Sequence, residues 1–495
     1  MNVHLMFRER EFVPERYPPV HARTVVRDLE LRPVLEIMAN GDENLYRVAE
    51  QVLPVGLEGV DEIRYRQRVL EDCVANPDIV RELYSVAMEA TSFWRGRTAP
   101  HSDGLAGTVR RSVEELAVFS TLLKRLRTLA CERKTVFVSE GFCELFGMFR
   151  TLLDDELFAA IDGHLRQLAR ENSFHFSVGL GPGNRGVDYA LQPPPRRSGW
   201  NVALGRLAGR GLAFELDPMN ERARQELIEL QDRGLAHVAR ALDGAGKTIA
   251  GLFRHLATET GFYLACLNLH DRLLEIGAPI CWPDVASGDG PMLTYRGLYD
   301  VSLVIRSQQR AIGNAATAHG KTLVMITGAN SGGKSTLLRA LGSAHVMMQS
   351  GMFVCAESFR ASTVRGIFTH FIREEDATMT SGKLDEELAR MSALAEQLTP
   401  RCLVLFNESF AATNEAEGSE IAHEIVAALL ENGVRVFFVT HQFVLAELLQ
   451  KEQGRSALFL RAERDASGHP TFRFFEGEPL PTSFGTEVYR RLGGW

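Results

Sequence analysis

No run of apolar residues in this 495-residue chain approaches the roughly 20 needed to cross a bilayer, which argues against a transmembrane helix. The opening "MNVHLMFRERE" is too charged for a signal peptide. Seven cysteines, an odd number, are scattered and never form a CxxC pair, so neither a disulfide framework nor a zinc knuckle is expected. These absences together predict a protein of a reducing cytoplasm. Solenoid-length repeats and low-complexity tracts are also missing. An excess of basic charge is lacking too: the net charge of −8 argues against a protein that coats nucleic acid indiscriminately, while leaving room for a local basic groove. What is present is an ordinary globular balance, 45% apolar and 24% charged, in a length that suits about three domains.

The patterning divides the chain into five parts. After an N-terminal segment, 1–25, residues 26–172 are rich in helix formers and poor in strand alternation, which predicts a helical domain. Over 173–217 the pattern changes to short alternating runs punctuated by glycine ("FHFSVGLG", "GNRGVDYAL", "GLAFEL"), the signature of a small β-rich unit. Residues 218–290 return to helical periodicity. Ile228, Leu235, Val238 and Leu242 form one stripe, and Ile249, Leu252, Leu256, Tyr263, Leu267 and Leu274 a second. Heptad-like spacing of this length fits long helices packed side by side; two ordinary core helices are the alternative. From 291 to 495 the grammar alternates strand and helix. "TLVMIT", "MFVCA", "CLVLFN" and "VRVFFVT" are near-continuous apolar runs of the kind a parallel sheet covered on both faces requires.

Directly after "TLVMIT" stands "GANSGGKST", Gly328 to Thr336, which satisfies the GxxxxGK[ST] pattern of a phosphate-binding loop. Gly328, Asn330, Gly332 and Gly333 lie in the turn whose backbone N–H groups would cradle phosphate. Lys334 would reach the outer phosphates of ATP, and Ser335, followed by Thr336, would ligate Mg²⁺. Seventy residues on, "LVLFNES" places Asn407 and Glu408 at a strand end, where Glu408 can orient and deprotonate water. Asn407 keeps a carbonyl oxygen for a metal-bound water and brings no negative charge, which predicts weak magnesium affinity with the base retained. His441 follows the next apolar strand, at the carboxyl edge where ligands bind in open α/β sheets. In "TSGKLDEELARM", Ser381 and Gly382 could offer a hydroxyl and helix N–H groups to a phosphate. Asp385, Glu386 and Glu387 would complement the helix dipole, and would also repel that phosphate.

These motifs, with "FVCAES", "LVLFNESFAATNEAEGSEIA" and "VFFVTHQF", stand in an order and at spacings that resemble the MutS family of DNA mismatch-repair ATPases over about Met292 to Trp495. The preceding half resembles that family's helical core and lever more loosely. The resemblance implies an α/β P-loop ATPase domain of the ABC type at the C-terminus, a mainly helical core and lever before it, and a clamp-like β insertion. It implies a homodimer ringing double-stranded or branched DNA, with ATP held by the P-loop of one subunit and touched by Ser381 of the other. Carried over by position, Lys334 and Ser335 serve phosphate and metal, Glu408 the water, and His441 the γ-phosphate. Asn314 in "AIGNAA" would lie near the nucleotide base. Repair or recombination proteins are the implied partners.

The departures are specific. Ala329 and Ser331 replace a proline and a methionine of the usual loop, and Asn407 replaces an aspartate. The stretch before the helical core is too short for the family's mismatch-reading wedge and connector, so "FRE", Phe7 to Glu9, matches the wedge motif F-x-E only by coincidence. On the β unit, Arg185, Arg196 and Arg197 fall in or near turns and could reach DNA phosphates; solvated surface charge is the plainer account. Three functions compete: a DNA-binding, ATP-hydrolysing clamp, a hydrolysis-poor ATP-binding switch or scaffold that acts through protein partners, and an ATP-driven clamp on something other than DNA.

Overall fold

The computed structural model describes residues 2–14, 20–96, 104–132, 136–169, 175–184, 186–192, 221–288, 290–329, 331–373 and 382–480. Helices dominate the first part: α1 (Val20–Asp28), α2 (Arg32–Ala39), α3 (Glu43–Val52), α4 (Val60–Ala75), α5 (Pro77–Arg95), α6 (Gly104–Glu132), α7 (Glu140–Leu152) and α8 (Asp155–Ala169). An antiparallel pair follows, β1 (His175–Leu180) with β2 (Gly186–Gln192). Next comes α9 (Glu221–Ile276), one uninterrupted helix of 56 residues. The two apolar stripes at 228–242 and 249–274 therefore lie on a single helix. Gly244 and Gly246 fall between them, and a glycine costs a helix only about 1 kcal/mol where a proline would break it.

The chain forms two compact units. One comprises Met1–Val3, Arg81–Val136 and Cys143–Ala257; the other His4–Val80, Phe137–Phe142 and Thr258–Trp495. The core of the first includes Trp94 and Phe253, both packed on the ring of Phe119. Beside it Val109 and Val113 of α6 meet Leu235 and Ala239 of α9.

In the second unit the remaining elements are β3 (Asp284–Ala286), β4 (Leu293–Leu298), α10 (Val301–Ser307), β5 (Asn314–Thr317), β6 (Leu323–Thr327), α11 (Lys334–Gln349), β7 (Ser358–Ser362), β8 (Ile367–Phe371), α12 (Lys383–Ala395), β9 (Leu403–Asn407), α13 (Glu415–Glu431), β10 (Arg435–Val439), α14 (Phe443–Gln453), β11 (Ala457–Arg464) and β12 (Pro470–Glu476). A six-stranded sheet runs in the order β12-β11-β6-β10-β9-β8, parallel throughout except for β12. A second sheet has the order β3-β7-β4-β5. Both faces of the large sheet are covered, which is why its strands read as apolar without alternation. Met325, Val404, Phe406, Val436 and Phe438 pack against Ala422 and Val426 of α13 and Leu445 and Leu449 of α14. On the other face His345 of α11 sits edge-on to Phe437, and Gly342 admits the side chains of Leu405 and Leu29 at a distance no Cβ would tolerate. "MFVCA" is not a strand: only Val354 makes a bridge, to Cys281, and the neighbouring strands are β7 and β8.

Residues 5–12 are held tightly within this unit. The buried Glu259 carboxylate accepts the backbone N–H groups of Leu5, Met6 and Phe12. Phe7 is 9% exposed, with the guanidinium carbons of Arg10 and Arg66 4.0 and 4.6 Å from its ring centre. The phenylalanine of the F-x-E match is thus a packing residue. No helix among the described residues is long and apolar enough to cross a membrane.

Candidate nucleotide site

Three loops leave the carboxyl ends of neighbouring strands β6, β9 and β10, and they bring most of the described site residues together. The loop after β6 is shaped by its glycines. Gly328 has φ +134°, and a Cβ there would lie 2.7 Å from that of Ala462; Gly333, at φ +86°, turns directly into α11. Ser331 takes a left-handed φ of +62° without the licence of glycine, a strain of the sort that persists where the surroundings demand it. Gly332 lies in the same loop, and Asn330 lies outside the described residues. The helix α11 starts directly after this loop, and a helix N-terminus favours an anion.

Lys334 fills that loop from within. Its ammonium donates to the carbonyls of Gly328 (2.9 Å) and Ala329 (3.1 Å), and its side chain is 4% exposed. Burial lowers its pKa and the neighbouring Glu408 opposes the shift. Glu408 Oε1 lies 3.7 Å from Lys334 Nζ and 3.8 Å from His441 Nδ1. His441 is the chief reason that Glu408 is held below the usual carboxylate range, and Glu408 in turn raises the pKa of His441. Both shifts favour an ionised carboxylate beside a cation. Next to them Ser335 Oγ donates to Asn407 Oδ1 at 2.9 Å. The cluster therefore presents hydroxyl, amide and carboxylate oxygens, the hard donors that suit Mg²⁺.

The turn carrying Glu408 is unusual. Glu408 has φ +54° and Phe410 φ +63°, two left-handed non-glycine residues flanking Ser409. Each costs about 1–3 kcal/mol and needs support. Glu408 N donates to Val439 O (2.8 Å), Phe410 N to the Glu387 carboxylate (2.8 Å), and Ser409 Oγ to His370 O (2.6 Å). Gly418 of α13 lies so close that a Cβ would enter the carbonyl oxygen of Phe410.

Beside the loop a cavity of about 490 Å³ is lined by Ile312, Asn314, Ser331, Gly333, Thr336 and Phe472 among others. Asn314 does not simply project into it. Its amide donates to Phe472 O (3.1 Å) and accepts from Phe474 N (2.9 Å), so it ties β5 to β12 and shapes the cavity wall. Phe472, with φ +59°, is 45% exposed and abuts Gly333. Sequence reading passed over Phe472 because one aromatic in "TFRFFEG" carries no motif.

Gly382 caps α12 in an extended conformation, with Asp385 and Glu386 in the first turn. Glu387 departs from the expected dipole role: it is 2% exposed and turned inward to Phe410. The sequence did hold a signal, since Glu387 falls three residues after Leu384 and four before Met391, an acid on an apolar stripe. Ser381, Arg185, Arg196 and Arg197 lie outside the described residues. Among the described residues no group of three or more His, Cys, Asp or Glu side chains could hold a metal ion, so any cation site here depends on the mixed oxygen set above.

Comparison with known proteins joins this geometry to a family. Residues 58–276 match the MutS2 N-terminal domain, and residues 324–493 match MutS domain V. Endonuclease MutS2 of Thermus thermophilus is 31% identical over 170 residues, 34% of this chain and 23% of that protein. DNA mismatch repair protein MutS of Porphyromonas gingivalis is 36% identical over 176 residues, 35% of this chain and 20% of its own length. That of Roseiflexus castenholzii is 27% identical over 236 residues, 46% of this chain and 21% of its length. The aligned part thus spans less than a quarter of each of these relatives. With one matched region in the helical half and the other beginning within the strand that leads into the glycine-rich loop, the chain belongs to the MutS family.

Proposed function

We propose that this chain is a DNA-binding ATPase of the MutS type, which closes as a homodimeric clamp on double-stranded or branched DNA in repair or recombination. The observation that carries the reading is the meeting of five residues at the carboxyl ends of β6, β9 and β10, where Ser335 bonds Asn407 and both Lys334 and His441 lie at ion-pairing distance from Glu408. The loop N–H groups and Lys334 bind the phosphates of ATP. The cavity beside Phe472 takes the base, which an exposed aromatic can stack. Ser335 and Asn407 would hold Mg²⁺, which when bound neutralises charge developing on the phosphate oxygens.

Glu408, kept ionised, orients the attacking water and accepts its proton. His441, with its raised pKa, presents a donor to the γ-phosphate side of the site. Asn407 makes the enzyme slow and magnesium-demanding. The two relatives' names, an endonuclease and a mismatch-repair protein, favour DNA as the partner.

The test is ATP turnover with and without duplex, mismatched, branched and single-stranded DNA. Stimulation by one of the double-stranded or branched forms supports the reading. Tight ATP binding with no turnover under any condition replaces it with the ATP-binding switch that acts through protein partners. The DNA surface is assigned to Arg185, Arg196 and Arg197, whose joint replacement by alanine should weaken binding across sequences and flatten its salt dependence.

A further inference from the structure

Helix α12 is connected to the turn of Glu408 twice, and both connections run through one residue. The Glu387 carboxylate accepts the N–H of Phe410 at 2.8 Å, two residues beyond Glu408. The carbonyl oxygen of Glu387 lies 3.2 Å from His370 Nε2, and His370 Nδ1 lies 2.9 Å from Ser409 Oγ. Burial lowers the His370 pKa to about 4, so the ring is neutral and can donate to that carbonyl only from Nε2. Ser409 gives its one hydroxyl proton to the His370 backbone carbonyl, 2.6 Å away, and is tied to His370 by that bond. Ser409 and Phe410 are thus both held from α12, and Glu408 precedes them on the same strained turn.

A second feature marks Glu387 as more than packing. The side chain is buried, yet only one of its oxygens is used: Oε2 has no hydrogen-bond partner among the described residues. Placing a carboxyl group on the apolar stripe of α12 with half its capacity unspent carries a desolvation cost. An apolar residue would fill the space without that cost, and would leave the Phe410 N–H unheld. The one bond made is to the backbone of a left-handed residue that has no steric reason to adopt φ +63° by itself.

We infer that Glu387 is a positioning residue for Glu408: it fixes the strained turn that aims the carboxylate and fastens that turn to α12. The inference rests on the reading of Glu408 as the base that acts on water. Because α12 begins at Lys383, directly after its cap Gly382, the same connection would make the aim of Glu408 depend on where the start of that helix sits.

Three substitutions separate aim from charge and from bulk. Glu387→Gln keeps an acceptor oxygen at the same reach and loses the charge; Glu387→Asp keeps the charge and, one methylene shorter, loses the reach; Glu387→Ala loses both. Single-turnover hydrolysis should fall about 100-fold in the alanine and aspartate variants, the cost of a misplacement of about 1 Å, with ATP affinity retained and most of the rate restored in the glutamine variant. Hydrogen exchange of the Phe410 amide reads the hold without any chemistry: protected in the native protein and in Glu387→Gln, and fast in Glu387→Asp and Glu387→Ala. Native rates and native protection in Glu387→Ala overturn the inference, as does a glutamine variant as slow as the alanine one. If the native protein itself shows no turnover, the reading of Glu408 fails, and the exchange pattern still decides whether Glu387 holds the turn.

Discussion

Gly418→Ala should separate catalysis from folding. Gly418 is in the first turn of α13, where a Cβ would lie closer to the carbonyl oxygen of Phe410 than the 3.0 Å below which real Cβ atoms essentially never come. The other nearby atom, Gln442 Nε2 at 3.1 Å, belongs to a side chain that can turn away; the carbonyl cannot. Ordinary C···O contact begins at about 3.3 Å, so the Phe410 carbonyl must retreat by about 1 Å, taking the Glu408 turn with it. Overpacking of this kind costs about 1–3 kcal/mol, while replacing glycine by alanine within a helix returns about 1 kcal/mol. The net effect on stability is small, whereas a shift of about 1 Å in a reacting group lowers turnover about 100-fold. Phosphate release at saturating ATP and Mg²⁺, with ATP affinity and thermal midpoint measured in parallel, should show slow hydrolysis by a folded, ATP-binding protein. Turnover at the native rate would refute the argument that the turn after β9 sets the position of the base.

Asn407→Asp should lower the Mg²⁺ concentration for half-maximal turnover by about 10- to 100-fold, because a carboxylate would replace the amide that now receives Ser335 Oγ. An unchanged magnesium requirement would remove Asn407 from the metal's surroundings. Stability should depend on pH through buried histidines. Burial lowers the pKa of His345 and of His370 to about 4 from the ordinary 6.5, so between those values the unfolded chain binds protons that the folded chain does not, and stability falls as the pH falls. At pH 5 each histidine contributes a loss of about 2 kcal/mol. Glu259 works in the opposite direction: burial raises it to about 7, which favours the fold as the pH drops through that value. In a Glu259→Gln background the urea midpoint should therefore fall from pH 7 to pH 5, and a constant midpoint contradicts the buried neutral rings.

How much the sequence disclosed follows from how each element is buried. β6, β9 and β10 are covered on both faces, and "LVMIT", "LVLFN" and "RVFFV" show it as apolar runs. β8 is equally buried, yet Thr369 and His370 interrupt its pattern, and their partners, Asp28 and Ser409, are remote in sequence. "MFVCA" is buried and apolar without being a strand, since burial alone does not require a ladder. The glycine-rich loop was legible because its backbone geometry restricts residue type locally. The support of the Glu408 turn was not, because Glu387, His370 and Gly418 meet it from three separate elements. Asn314 was expected near the nucleotide base from its place in the chain; it lines the cavity beside Phe472, while the bonds that tie its side chain to β12 could not be read from sequence.

The most direct test is ATP binding and ATP turnover measured together on the native chain, Lys334→Ala and Glu408→Ala. The native protein should bind ATP and hydrolyse it slowly with Mg²⁺. Lys334→Ala should lose tight binding, because it removes the ammonium that fills the loop beside Glu408. Glu408→Ala should bind ATP with native affinity and hydrolyse none of it, because the carboxylate acts on water. Unchanged ATP affinity in Lys334→Ala, or native turnover in Glu408→Ala, would contradict the assignment of this sheet edge as an ATP-hydrolysing site.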